Sequence, residues 1–441
     1  MRSSESSSSP NHNPERVPAT PFYRRTLPVL TVRVLTGALF VFSGLVKGVD
    51  PWGSIIKIGE YFAAWGIEMP GPLIILAAFA LGAFEFVWGA LLLLGCYKRV
   101  SVWMLSAMML FMLPLSAYIA VADPVADCGC FGDFLVISNT ATFIKNIVIA
   151  AALVYLWCFN RDYDGCFVSY VQWIVGGLVT FYILAVELFG YNIQPMLDFR
   201  RYAPGTELVA ADTGDEDSGV TYIYSKDGRE QEFTIDNLPD STWTFVDRAG
   251  VVDDGVDDSS LAVLDEDGND ILEEIIDPAT QQFIVTLPDV RHVDLSCTYL
   301  LNELNDFIEE RGGSMTLLMA DGEKGMEWWR DISMATYPIY RADARQLREL
   351  ARGNAALVFV DHGRVAWKRA VSSISYTLVT ETPSQSILET VDPDCGYWLR
   401  LLTVGFSAIL LTLFLLDRSG KLIHLHITGR KKQDNKSKQI S

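Results

Sequence analysis

The run LIILAAFALGAFEFVWGALLLL at residues 73–94 contains one ionisable residue, Glu85, and is long enough to cross a hydrocarbon core of about 30 Å as a helix. Five further apolar stretches reach that length, at 29–46, 100–121, 140–159, 167–189 and 399–416. In a chain of 441 residues that is half apolar, this density predicts an α-helical membrane protein: a four-helix bundle plus two further transmembrane helices. Within the quoted run, Ala78, Gly82, Glu85 and Gly89 share one helix face, which puts Glu85 on the packing face near mid-membrane. An ionisable group there must face protein or water, so Glu85 is either a proton-handling residue or a carboxyl that cements the bundle by hydrogen bonding. In the preceding span, Gly37, Gly44 and Gly48 recur at helical spacing and permit close approach of another helix. Lys47 is expected to snorkel outward or pair with Asp50.

Basic residues occupy alternate flanks: Arg24 and Arg25, Lys98 and Arg99, Arg161, and the stretch 421–438. These flanks should be cytoplasmic, giving a multi-pass membrane protein with both termini inside and residues 195–395 extracytoplasmic. The first span is expected to act as an uncleaved anchor after a disordered cytoplasmic tail at 1–28, and a basic cytoplasmic tail at 418–441 follows the last span at 397–417. The net charge of −19 resides in the hydrophilic stretch, where most of the 54 Asp and Glu residues fall. That balance speaks against nucleic acid as a partner and fits a solvated acidic surface beside a lipid bilayer.

The seven cysteines divide by side: Cys96, Cys158 and Cys166 on the reduced cytoplasmic side, Cys128, Cys130, Cys297 and Cys395 outside. Asp123-Pro-Val-Ala-Asp-Cys-Gly-Cys-Phe-Gly-Asp133 is the most informative of these contexts. Two thiols separated by one residue can close a small, strained and oxidising disulfide ring, and Gly129 and Gly132 offer the dihedrals such a turn demands. A redox pair, a permanent staple and a metal half-site are the three readings of Cys128 and Cys130. The membrane spans hold no His and the two-residue ligand spacing of structural zinc sites is absent, so no metal is assigned. Residues 50–72, rich in Trp, Tyr, Phe and Ile between Pro51 and Pro70, form an amphipathic segment that either anchors at the interface or caps a lipid-facing pocket.

The segments Arg33-Val-Leu-Thr-Gly-Ala-Leu-Phe and Phe42-Ser-Gly-Leu-Val-Lys-Gly-Val-Asp-Pro51, the Glu85 region and Cys128-Gly-Cys-Phe-Gly132 resemble the DoxX-like family, and within it the methylamine utilisation protein MauE branch. The resemblance covers residues 29–160. It implies a membrane protein engaged in disulfide formation or maturation of extracytoplasmic proteins, with an exported thiol or disulfide protein as partner. Quinone is the cofactor such relatives bring to mind, and no cofactor follows from the residues themselves. The appended fifth helix at 161–192, the exterior region and the last helix resemble a longer architecture of Bacteroidetes inner membranes.

The exterior region divides into an acidic β-rich segment at 195–280 and an α/β domain at 281–391. The first holds a hairpin, with Thr221-Tyr-Ile-Tyr and Glu232-Phe-Thr-Ile flanking an Asp-Gly turn. The second orders as strand 282–287, helix 297–310, strand 315–319, helices 326–332 and 344–351, then a hairpin of 356–360 and 365–368. That order resembles a thioredoxin fold that lacks the second cysteine and the usual proline, reading Asn354-Ala355-Ala356-Leu357 there. Cys297 at its helix start is open to three states: a bridge to Cys395, an inert buried thiol, or a reactive thiolate. The acidic turn 265–270 departs from calcium-loop spacing, and Trp328 and Trp329 read as core packing. The functional expectation is thiol–disulfide exchange through Cys128 and Cys130, with Glu85 assisting proton movement. The alternatives are a non-catalytic membrane anchor and binding module for an exported partner, and a transporter using Glu85.

Overall fold

In the computed structural model, residues 26–122, 129, 131–135, 137–160, 165–209, 221–226, 229–234, 244–249, 261–265, 268–375 and 391–438 are described. Six helices are long and apolar enough to cross a membrane: α1 (Thr26–Val49), α3 (Gly71–Leu94), α4 (Lys98–Ala122), α5 (Asn139–Phe159), α6 (Gln172–Asn192) and α11 (Cys395–Lys438), the last over Cys395–Lys421. Between the first two lies α2 (Pro51–Ala64), started by Pro51 at its first position and by Asp50, whose side chain accepts from the Gly53 amide at 3.1 Å.

Glycine sets the tightest contact in the bundle. A Cβ at Gly44 would stand 2.4 Å from the Phe86 amide nitrogen, and one at Gly89 would stand 2.7 Å from Phe40 Cβ. Helices α1 and α3 therefore touch backbone to backbone, with Ala78, Gly82, Glu85 and Gly89 buried along the α3 seam. Gly44 and Gly48 serve different neighbours: a Cβ on Gly48 would meet Ile183 of α6 at 2.6 Å, because residues four apart on α1 face two flanking helices. The α11 helix packs on the outer side of α6, where Tyr182 stacks on Phe406 at 4.4 Å and its hydroxyl bonds Thr403 at 3.0 Å.

The hydrophilic part carries two sheets. Strands β1 (Thr221–Lys226), β2 (Arg229–Thr234) and β3 (Thr244–Ala249) form an antiparallel sheet in the order β2-β1-β3, which contains the expected hairpin. The larger sheet comprises β4 (Val263–Leu264), β5 (Gln281–Leu287), β6 (Ser314–Met319), β7 (Ile339–Ala342), β8 (Ala356–Asp361) and β9 (Arg364–Ala370), ordered β4-β7-β6-β5-β8-β9. Strands β5, β6 and β7 are parallel, joined through α8 (Cys297–Glu309) and α9 (Glu323–Ser333), while β8, β9 and β4 run against their neighbours. Strand β5 is buried from Gln282 to Leu287 because both faces are covered. One face packs Leu301, Leu304 and Trp329; the other packs Leu347 and Leu350 of α10 (Ala344–Leu350) with Tyr202. The strands β4 and β7 went unread in the sequence, being two and four residues long. Trp329 is in the core as expected, whereas its neighbour Trp328 is exposed.

Charge joins this domain to the membrane helices. Arg352 grips Asp50 with Nη2 at 2.7 Å from Oδ2 and Nε at 3.2 Å from Oδ1, while Gln194 at the end of α6 donates to the Arg352 carbonyl at 2.6 Å. Asp198 is buried between Arg200 at 2.7 Å and Lys368 at 2.8 Å. Burial alone would raise this carboxyl, but the two cations pull it down to about 2.

Candidate functional site

A cavity of about 510 Å³ opens between α1, α2, α3, α4 and α5. Its walls are largely apolar, including Met108, Met109 and Met112 of α4 and Tyr61, Phe62 and Trp65 at the end of α2. The amphipathic segment thus covers a pocket, in addition to seating Trp52 against Tyr191 at 5.0 Å with the rings 10° from parallel. The polar atoms of the cavity come from Ser43, Lys47, Glu85, Lys145 and Asn146, with Ser54 and Lys57 toward α2.

Lys47 and Glu85 form a buried ion pair, Nζ to Oε2 at 2.8 Å, with each side chain 6% exposed. Lys47 also donates to Ser43, one turn earlier on α1, at 2.8 Å. The pairing of Lys47 with Asp50 expected from proximity does not occur. Asp50 instead starts α2 and holds Arg352, whereas Lys47 points along the α1–α3 seam to the carboxylate on the facing helix. Two charges this deep are tolerated because each meets its opposite at hydrogen-bonding distance.

The loop between α4 and α5 reaches the same cavity. Gly129 and Phe131 line it, and the Lys145 ammonium lies 4.3 Å from the Phe131 ring centroid. Gly129 and Gly132 both have positive φ, 64° and 52°, and the Gly132 amide donates to the Gly129 carbonyl at 3.1 Å. A Cβ on Gly129 would press on Lys57 Cγ at 3.1 Å, which brings this turn against α2. Phe131 and Phe134 pack on Phe42 at 5.7 and 5.2 Å. Cys128 and Cys130 themselves lie outside the described residues.

The second buried acid of the bundle is Glu187 on α6, 1% exposed, with no hydrogen-bond partner for either carboxylate oxygen among the described residues. It fills the space that two glycines leave: a Cβ on Gly82 would stand 2.6 Å from its Oε1, and one on Gly48 would stand 3.4 Å from its Cγ. Sequence reasoning passed over it, although an acid inside the apolar run 167–189 was the signal that could have found it.

Cys297 in the hydrophilic domain and Cys395 at the start of α11 are free thiols in the structure, and the bridge considered between them is not formed. Burial, followed by the nearby negative charge of Asp294, pushes the Cys297 thiol up to about 11. Among the three states left open for Cys297, that direction speaks for the inert buried thiol.

The family model described as methylamine utilisation protein MauE matches residues 25–159, and that of a domain of unknown function (DUF8463) matches residues 220–252. No curated protein and no solved structure matches the chain. The first match spans α1 through α5, together with the cavity they enclose; the second spans the β1–β2–β3 sheet. The helical unit at residues 25–159 is therefore similar to methylamine utilisation protein MauE, and α6, the hydrophilic domain and α11 follow it in the chain.

Proposed function

We propose that the protein carries out thiol–disulfide exchange for an exported partner through Cys128 and Cys130, from a bacterial inner membrane with its hydrophilic domain outside. The observation that carries this reading is the position of Gly129 and Phe131, on either side of Cys130, in the wall of the cavity that holds Lys47, Glu85 and Lys145. In the oxidised state, two thiols of the partner would attack in turn. The Cys128–Cys130 bond breaks, the partner's disulfide forms, and two electrons pass to the pair. Restoring the disulfide removes two electrons and two protons.

The cavity fits a quinone head group, being apolar along most of its wall and bearing hydrogen-bond donors at Lys145 and Asn146. When bound, a quinone supplies the two-electron acceptor. The chain's own residues then handle the proton: Lys47 positions Glu85 at 2.8 Å, and Glu85 receives a proton leaving the thiols. The DoxX-like resemblance is consistent with this chemistry.

The β5–β9 strand order, two parallel crossovers beside an antiparallel hairpin, supports a thioredoxin-like ancestry for the hydrophilic domain. With a single, buried thiol at its helix start, that domain serves to bind the partner rather than to cycle.

The test is the alkylation state of the pair in intact membranes. Cys128 and Cys130 should be protected from a maleimide after oxidation and modified after reduction, and Cys128→Ser should leave Cys130 modified under both conditions. Equal modification of the wild-type pair under every redox condition overturns the proposal. The binding-module alternative instead predicts function that survives a double Cys→Ser change and is lost with residues 200–390.

A further inference from the structure

A second cavity, of about 280 Å³, lies at the opposite end of the bundle from the cysteine turn, between the first turn of α4 and the last turn of α5. Its lining is sorted by chemistry. Lys98 and Arg99 begin α4, and the first turn of that 25-residue helix presents amides with no acceptor inside the helix. Trp103 and Trp157 flank the opening and are 55% and 52% exposed, Val100 is exposed beside them, and Leu156 closes the floor. Tryptophans at that level suit the boundary between head groups and acyl chains.

Asn160 adds an observation that lysine, arginine and a helix end do not explain. It is 3% exposed and its amide nitrogen donates to the Lys98 carbonyl at 3.3 Å, yet its Oδ1 accepts no hydrogen bond among the described residues. A buried acceptor left without a donor is destabilising. Asn160 lines the cavity, so a ligand that brings a donor would complete it.

We infer that this cavity binds the head group of an anionic glycerophospholipid carrying a hydroxyl, the phosphatidylglycerol type. The phosphate meets Lys98, Arg99 and the α4 amide end. A glycerol hydroxyl donates to Asn160 Oδ1, and the acyl chains run along Val100, Trp103 and Trp157. A zwitterionic choline head group offers no donor and carries no net charge, and an anion lacking a hydroxyl satisfies only half of the site.

The experiment titrates the full chain, purified in neutral detergent, with four probes followed by native mass spectrometry: phosphatidylglycerol, phosphatidylmethanol, phosphatidylcholine and inorganic phosphate. Phosphatidylglycerol should bind more tightly than phosphatidylmethanol by about twofold to tenfold, the span of one hydrogen bond. Asn160→Leu should erase that gap while keeping both anions ahead of phosphatidylcholine. Lys98→Gln with Arg99→Gln should weaken phosphatidylglycerol by roughly thirtyfold, at about 1 kcal/mol per charge. Equal binding of phosphatidylglycerol and phosphatidylcholine by the wild type, or unchanged binding by the double variant, overturns the site. A gap that persists in Asn160→Leu overturns the role of the hydroxyl, and displacement of the lipid by an equal concentration of inorganic phosphate overturns the assignment to lipid.

Discussion

Glu85 and Glu187 are both buried acids of one bundle, and they meet opposite fates. Glu85 faces the cavity and is matched at 2.8 Å by Lys47; Glu187 faces the α1–α3–α6 seam, where its Oε1 lies against Gly82, its Cγ lies against Gly48, and no cation among the described residues pairs with it. An ionised carboxylate without a partner in a low-dielectric site is far more costly than a neutral acid. The bundle thus contains one acid paired with a cation beside open volume and one acid enclosed in a packed seam.

The largest effect expected from breaking this contrast is that of Glu85→Gln, which strips Lys47 of its countercharge and should cost about 3–5 kcal/mol. Thermal unfolding in detergent reads the loss, and Lys47→Met with Glu85→Leu should recover most of it by removing both charges. If Glu85→Gln melts like the wild type, the pair is not the charged anchor argued above.

Next in size is Gly44→Val, whose added atoms collide with the Phe86 backbone and should cost about 1–3 kcal/mol through overpacking. Ala77→Val, in the wall of the cavity, should change the melting point little, since that region has room. Equal sensitivity at the two sites would erase the distinction between seam and cavity.

Outside the bundle, Asp198 offers a third kind of buried acid, one held between two cations. Its carboxyl lies near 2 in the folded protein against about 3.9 when unfolded, so its stabilisation is complete above about pH 4 and is lost as pH falls toward 2. The loss should approach about 2 kcal/mol, and Asp198→Asn should flatten that part of an acid-unfolding curve followed by tryptophan fluorescence.

Smaller still is Glu187→Gln, predicted to leave stability within about 1 kcal/mol because an amide of the same shape fills the same space beside Gly82 and Gly48. A loss as large as that of Glu85→Gln would show that the Glu187 carboxyl itself anchors the seam. At the lower limit, Cys297 should alkylate slowly at pH 8 and accelerate only above pH 10, as its raised thiol requires. Rapid labelling at neutral pH would return it to the reactive class.

The helices were legible because apolar runs, glycine spacing and basic flanks each leave a local pattern, and the face of α3 bearing Glu85 could be placed from four residues. The partner of Lys47 was not legible. Proximity in the chain favoured Asp50, three residues on, whereas the true partner lies on the facing helix, in reach only through the close α1–α3 approach at Gly44. The cavity was hidden for a related reason: its lining is drawn from five helices, and only the aromatic stretch of α2 hinted at a pocket. Glu187 was obscured by its own surroundings, since an average over the apolar run absorbs one acid. Strand β7 escaped because four residues following Pro338 carry too little alternation to register, and its place comes from pairing with β6.

Asp50 links these scales. One carboxylate both begins α2, the helix that walls the cavity, and clasps Arg352 of the hydrophilic domain. A change at this one carboxylate would therefore reach both the first turn of the cavity wall and the seat of the hydrophilic domain.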